Sequence, residues 1–218
     1  MGENKDRRRA RRQKRGLIRS EEILVAAGAL FAELGYDKAT TTMIAARAGI
    51  SPGSLYQFFP NKEAIAHAYA AAAVARLHTV YDVVLAPDVI GLPLARFIDT
   101  FVDALIAFNR DHPGYLALSI ASTISAPLAL ALADLQGGIA CRLEALLAAI
   151  WPGGAPEQRH LHGLISYRIF LVLLPLALGH GEADPEAIVC ELKTVLYRYW
   201  EPIIGTRPSP LPENSGRG

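Results

Sequence analysis

The stretch Ala46–Ile65, ARAGISPGSLYQFFPNKEAI, decides how this chain is read. It sets Gly49, Gly53, Pro52 and Pro60 beside Tyr56, Phe58 and Phe59, in a region whose flanks have helical periodicity. Gly49 supplies the positive φ that turns the chain sharply without a side-chain clash. Ile50 fills the angle between the helices on either side. Ser51 is the N-cap of the next helix, and Pro52 presets its first φ. Leu55 and Phe59 are four apart and face the core. Tyr56, Gln57 and Phe58 cannot all face inward on so short a helix, so they are expected outside.

Helix, glycine turn and short helix form the helix-turn-helix plan. In such a unit the first helix crosses the phosphate backbone, and the second enters the major groove with its N-terminal residues at base edges. Gly53 and Ser54 are small enough to let that helix end approach DNA closely. Tyr56 can donate its hydroxyl to a phosphate. Gln57 can pair with adenine through two hydrogen bonds, and Phe58 can meet a thymine methyl. Lys62 opens the following helix, whose free N–H groups also favour a phosphate.

The flanking sequence extends the pattern. Ser20 caps a helix carrying Ile23, Ala27, Leu30, Phe31 and Leu34 at helical spacing, and Gly35 sits at its C-terminal cap. Thr40 caps a second helix through Ala48, and Asn61 caps a fourth that runs from Lys62 to about Leu85. Beyond APDVIGLP, Leu94, Phe97, Ile98, Phe101, Val102 and Leu105 form one stripe. Further helices start behind Pro113, run from Ser125–Pro127 to Ile150, and cover 158–178 and 184–200. Pro175 should bend its helix. No sustained alternation marks a strand. The expected fold is therefore all-α: an N-terminal three-helix unit, residues 20–66, joined by a long helix to a C-terminal helical bundle, residues 67–205. A disordered arm, 1–19, precedes it and a flexible tail, 206–218, follows.

Charge is distributed unevenly. The net charge is +1, yet residues 1–19 hold nine of the 22 basic side chains and two of the 21 acidic ones. Beyond Arg19, 13 basic face 19 acidic side chains, a net −6. A basic arm on an acidic body suits a polyanion partner at one end. Cys141 and Cys190 are the only cysteines, so neither a disulfide framework nor a zinc cluster is expected, and a cytoplasmic location is the default. The run IFLVLLPLALG after Arg168 is shorter than the roughly 20 residues a bilayer needs, so no membrane partner is expected.

An enzyme is the main rival. Gly49-Ile50-Ser51-Pro52-Gly53 matches the G-x-S-x-G of serine hydrolases in form only. That elbow needs a preceding strand and the N–H of the residue after the serine, and Pro52 has none. His160 and His162 are two apart and diverge on a helix. No phosphate-binding glycine loop occurs. No catalytic residue, cofactor or metal is expected. A purely architectural DNA binder would not need the large apolar second half.

Residues 20–66 resemble the DNA-binding domain of the TetR family of bacterial transcriptional regulators. The resemblance runs without insertion from ILVAAGALFAELGYDKATT through IAARAGISPGSLYQFFPNKEAI. It implies a homodimer that offers two such domains to a palindromic double-stranded operator. It implies that Thr40, Thr41, Tyr56 and Lys62 hold phosphates, and that Thr42, Pro52, Gly53, Ser54, Gln57 and Phe58 lie at the bases, behind the Ser51 cap. Position 58 is often His or Tyr in the family, whereas Phe58 reads only apolar surface. The basic arm should add backbone or minor-groove contacts.

For the second half the resemblance implies an effector pocket and a dimer built by the last two helices. Leu164, Phe170, Leu171, Leu174, Leu192, Leu196, Tyr197 and Trp200 are the candidates for that interface. Phe97, Phe101, Phe108, Tyr115 and Phe170 are the candidate pocket walls, with Asn109, Ser119, Ser122, Thr123 and Arg168 as polar fixers. So little charge there fits a small hydrophobic or amphipathic effector. The helix from Lys62 would be the lever through which the effector releases DNA, and the resemblance implies a repressor, the family's usual mode.

Overall fold

A computed structural model describes residues 3–205. The expected flexible tail, 206–218, lies outside the described residues. Among those described, every regular element is a helix.

The first helix, α1 (Glu3–Leu34), is 32 residues long. The arm expected to be disordered over 1–19 is instead helical from Glu3. Its Arg, Lys, Gln and Ala residues are strong helix formers, and no proline interrupts them. Once Ile23, Ala27, Leu30 and Phe31 anchor the C-terminal half in the core, each added turn extends an existing nucleus. Gly35, at φ 77°, ends the helix, and its N–H donates to the Phe31 carbonyl at 3.0 Å.

The helix-turn-helix follows as α2 (Thr41–Arg47) and α3 (Pro52–Tyr56). Thr40 Oγ1 accepts from Met43 N at 3.2 Å, and Ser51 Oγ accepts from Ser54 N at 3.1 Å. Gly49 adopts φ 66° between them, as the turn requires. Asn61 Oδ1 accepts from Ala64 N at 2.7 Å and caps α4 (Lys62–Val84).

The remaining helices are α5 (Pro87–Ile90), α6 (Leu94–Asp111), α7 (Pro113–Ala121), α8 (Ala126–Ala131), α9 (Ala133–Ile150), α10 (Pro156–Ala177) and α11 (Pro185–Ile204). The single helix expected to run to Ile150 is thus two, broken at Leu132. Two cores pull on that segment. Leu128 and Leu132 are buried in one, and Leu146, Leu147 and Ile150 in the other.

The chain folds as two compact units. The first takes the chain through Ala75 together with His112–Gln136, and the second takes Arg76–Asp111 with the chain from Gly137 onward. The boundary expected at residue 66 therefore lies further along α4, between Ala75 and Arg76, and α7 and α8 join the N-terminal unit. In the first unit, Ile23, Phe31, Ile44, Leu55 and Ile65 are fully buried. Each contributes about 1.5–3 kcal/mol of apolar burial. Leu118 and Leu128 close this core from α7 and α8. In the second unit the α6 stripe is buried at Leu94, Phe97, Ile98, Val102 and Leu105, with Phe101 half-buried. α11 packs on both α6 and α10. Lys193 of α11 bridges Asp103 of α6 at 2.8 Å and Asp99 at 3.6 Å.

α10 is long and apolar enough, by length and composition, to cross a membrane. Arg168 lies in its middle, where a charge costs a spanning helix about 2.5–3.5 kcal/mol. One face of the helix, through Gly163, Phe170, Leu171 and Leu174, is buried in the second unit.

Candidate nucleic-acid interface and cavity

Local chemistry sets the exposed face of α3. Leu55 and Phe59 are buried, so the helix is pinned on one side and its other face turns outward. Tyr56 is 52% exposed and Phe58 37%. Gln57, Pro52, Gly53 and Ser51 are also exposed, with Ser54 half-buried. Thr40, the N-cap of α2, and Thr42 on α2 are also exposed, and Thr41 is half-buried. The Tyr56 hydroxyl lies 3.1 Å from Thr41 Oγ1, so a hydrogen bond between α3 and α2 fixes where that phenol points. The Ser51 and Ser54 hydroxyls are 2.9 Å apart.

Gly53 needs no special backbone, and a Cβ built on it would meet nothing nearer than Ser51 Oγ at 4.0 Å. Folding therefore does not demand glycine there, although glycine weakens a helix by about 1 kcal/mol relative to alanine.

Lys62 is held in place rather than free. Its Nζ donates to the Tyr36 carbonyl at 2.9 Å and to the Asp37 carbonyl at 3.4 Å, and it sits 4.1 Å from the Tyr36 ring centroid. An ammonium has three donors, so one remains for an anion. The Tyr36 hydroxyl donates to Glu63 Oε1 at 3.1 Å. Burial, then the Glu63 carboxylate, push that phenol well above its ordinary range. Sequence reasoning missed Arg47. Its guanidinium bonds Glu33 Oε1 at 2.6 Å, tying α2 to α1 and holding the Glu33 carboxyl below its usual value. Arg11, Lys14, Arg15 and Arg19 are exposed along α1, with Arg19 paired to Glu22 at 2.8 Å.

The second unit holds a cavity of about 70 Å³. Phe97, Phe101, Val102 and Leu105 wall it from α6, and Leu143, Leu146, Leu147 and Ile150 from α9. Phe170, Gly163, Leu196 and Trp200 close it from α10 and α11. Phe97 and Phe101 stack at 6.0 Å, and Tyr81 of α4 tilts against Phe101 at 6.2 Å. Three of the five expected wall residues, Phe97, Phe101 and Phe170, are therefore present. Phe108 is buried but does not line the cavity, and Tyr115 packs on the core of the first unit.

None of the expected polar fixers reaches the cavity. Asn109 donates to the Leu105 carbonyl of its own helix at 2.8 Å, and Thr123 to Ile120 at 2.7 Å. The polar residues found there instead include Ser166 and Tyr167. Their one sequence signal is position, within a turn of Phe170 on the same helix.

The expected interface residues also divide. Phe170, Leu171, Leu174, Leu192, Leu196 and Trp200 are buried within the subunit, because the second unit uses them as its own core. Leu161, Leu164, Tyr167, Val172 and Val195 are the large apolar residues α10 and α11 leave exposed. His160 is exposed, and His162 Nδ1 is hydrogen-bonded to the Tyr199 hydroxyl at 2.6 Å. Among the described residues no cluster could hold a metal ion.

A capped helix-turn-helix on one helical unit, followed by a second helical unit around an apolar cavity, defines a DNA-binding regulator with a separate C-terminal domain. Residues 23–69 match the family model for bacterial regulatory proteins of the tetR family, and residues 93–199 match the tetracyclin repressor-like C-terminal domain. This chain belongs to the TetR family of bacterial transcriptional regulators. A TetR-family transcriptional regulator from Streptomyces coelicolor is similar at 28% identity, over 85% of this chain and 99% of that one, with a TM-score of 0.60. A transcriptional regulator from Rhodococcus sp. Rha1 shares the fold at 20% identity, over 88% and 99%, with a TM-score of 0.66. So does the fatty acid degradation regulator FadR from Bacillus halodurans, at 17% identity over 81% and 93%, with a TM-score of 0.63. Among curated proteins, none matches this chain.

Proposed function

We propose that this protein is a cytoplasmic, ligand-responsive repressor without catalytic activity. As a homodimer it binds a palindromic operator, and it releases that operator when a small hydrophobic or amphipathic effector enters the second unit. The observation that carries this reading is the outward face of α3: Tyr56, Gln57 and Phe58 are exposed next to an unobstructed Gly53. Thr40, Thr41, Tyr56 and Lys62 are assigned to phosphates. Thr42, Pro52, Gly53, Ser54, Gln57 and Phe58 are assigned to base edges, with Ser51 fixing the helix start. Phe58 and Gln57 favour A·T pairs by their chemistry.

The apolar residues left exposed on α10 and α11 support a dimer through these two helices. α4 is one unbroken helix whose Ile65, Ala66 and Ala70 serve the first core while its Tyr81 walls the cavity. The cavity supports release by shape change. At about 70 Å³ it is less than half the ~150 Å³ that holds a benzene ring. An effector must therefore spread the walls, and it favours the conformation in which they are apart. Two recognition helices that no longer fit major grooves about 34–36 Å apart lose the operator.

Selection of bound duplexes from a random DNA pool tests this reading. It should return an inverted repeat whose half-sites sit one or more helical turns apart. A pool that stays unenriched, or a single asymmetric site bound by a monomer, would reject it.

A further inference from the structure

The cavity lining contains no charged side chain. Its hydrogen-bonding groups are nearly all spent. Ser166 Oγ donates to the His162 carbonyl and accepts from Trp200 Nε1, both at 2.9 Å. That uses the serine's one proton and the indole's one donor. The Tyr81 hydroxyl belongs to a residue with contacts of its own. Tyr167 differs. It lines the cavity, is 40% exposed, and its hydroxyl has no hydrogen-bond partner among the described residues.

We propose that the cavity takes a hydrocarbon-chain amphiphile whose head carries an acceptor oxygen, and that Tyr167 is the residue that reads that head. The inference rests on the reading of this cavity as the effector site. An apolar wall accepts a chain at about 0.8 kcal/mol per buried methylene, but leaves a polar group unpaired at a cost of several kcal/mol. The polar end of a ligand therefore stays beside a donor at the cavity's edge, and Tyr167, a partly exposed lining residue, offers one. Loss of water holds its phenol above the ordinary range, while the neighbouring Arg168 cation acts the other way. Arg168 is exposed, and no acidic side chain lines the cavity. The field at the head position thus favours a carboxylate or ester oxygen over an ammonium.

Trp200 in the cavity wall reports binding through tryptophan fluorescence in the full-length protein, with no DNA present. Octanoate, methyl octanoate and octylamine are the probes. The two oxygen-headed probes should bind saturably, and octylamine at least tenfold more weakly. Tyr167→Phe should weaken octanoate and methyl octanoate roughly 2- to 12-fold, the equivalent of one hydrogen bond, and leave octylamine unchanged. Leu147→Trp, which fills the cavity, should abolish binding of all three. Equal loss of the three probes in Tyr167→Phe, no loss of any, a preference for octylamine, or no binding by any probe would each overturn the proposal. Octanoate that binds with this Tyr167 dependence yet leaves the DNA complex intact would keep the ligand assignment and reject only the effector role.

Discussion

Gly114 of α7 lies against Gly28 of α1 so closely that a Cβ on Gly114 would come within 2.5 Å of the Gly28 carbonyl oxygen. A Cβ on Gly28 would in turn meet the Tyr69 ring at 2.3 Å. α1 has its main packing partner in α7, and this crossing is what brings residues 112–136 into the N-terminal unit. A backbone oxygen cannot step aside as a flexible side chain can. Gly114→Ala should therefore destabilise the protein by about 1–3 kcal/mol, the usual cost of overpacking. Urea denaturation followed by circular dichroism measures it. A midpoint equal to that of the native chain would show that the helices do not meet this closely.

Gly53 is the contrasting case, since a methyl there has open space. Gly53→Ala should leave the fold intact and raise its stability by about 0.4–1 kcal/mol, because alanine loses less chain entropy on folding. The same methyl should weaken operator binding if, as proposed, this helix end approaches DNA. Thermal melts and fluorescence anisotropy on one preparation separate the two effects. Unchanged affinity would remove Gly53 from the interface.

The difference between these glycines shows which features sequence can disclose. Gly35 and Gly49, the Thr40 and Ser51 caps and the buried pair Leu55 and Phe59 are local matters of φ, capping and spacing, so they are legible. The pairing of Gly28 with Gly114 joins positions 86 residues apart in the chain, and no periodicity announces it. That is why Tyr115 reads as a pocket wall in the sequence although α7 carries it to the other core. Phe97, Phe101 and Phe170 are legible as cavity walls because they sit on long apolar stripes. Ser166 and Tyr167 are not, because a hydroxyl on such a stripe has no signature until the neighbouring helices are placed. The exposed and buried apolar faces of α10 are hard to tell apart for a similar reason. Both read as leucine-rich, and only the packing of α11 decides between them.

The Tyr36 phenol gives the fold a dependence on alkaline pH. Its folded pKa is raised above the ordinary value of 10.0, first by burial and then by Glu63. A raised folded value stabilises the protein fully below the unfolded pKa, and that stability declines as pH climbs past about 10 toward the folded value. Tyr36→Phe deletes the group and the bond to Glu63. Its stability should be lower at neutral pH but should fall less steeply above pH 10. Urea midpoints between pH 8 and 11 supply the comparison, and parallel curves for the two proteins would show that Tyr36 does not titrate as this environment requires.

The last prediction concerns the basic end of α1. Arg11, Lys14 and Arg15 are exposed on a helix, so their charges stand at fixed positions instead of sampling a loose arm. Each phosphate they neutralise releases condensed counterions, and log K then falls with log salt by about 0.9 per phosphate. Removing residues 1–16 leaves Ile23, Ala27 and Phe31 to anchor the remainder of α1, so the core of the first unit should survive. Operator affinity should drop, and its salt slope should flatten by about 0.9 for every phosphate that these residues neutralise in the two subunits of the dimer. Lys62→Gln should flatten the slope by a similar increment for each phosphate it holds, without shortening α1, which makes it the control for helix length. Anisotropy titrations from 50 to 300 mM salt read both slopes. A truncated protein that binds more weakly with the slope unchanged would mean that the N-terminal charges touch no phosphate, and that the weaker binding comes from a destabilised α1.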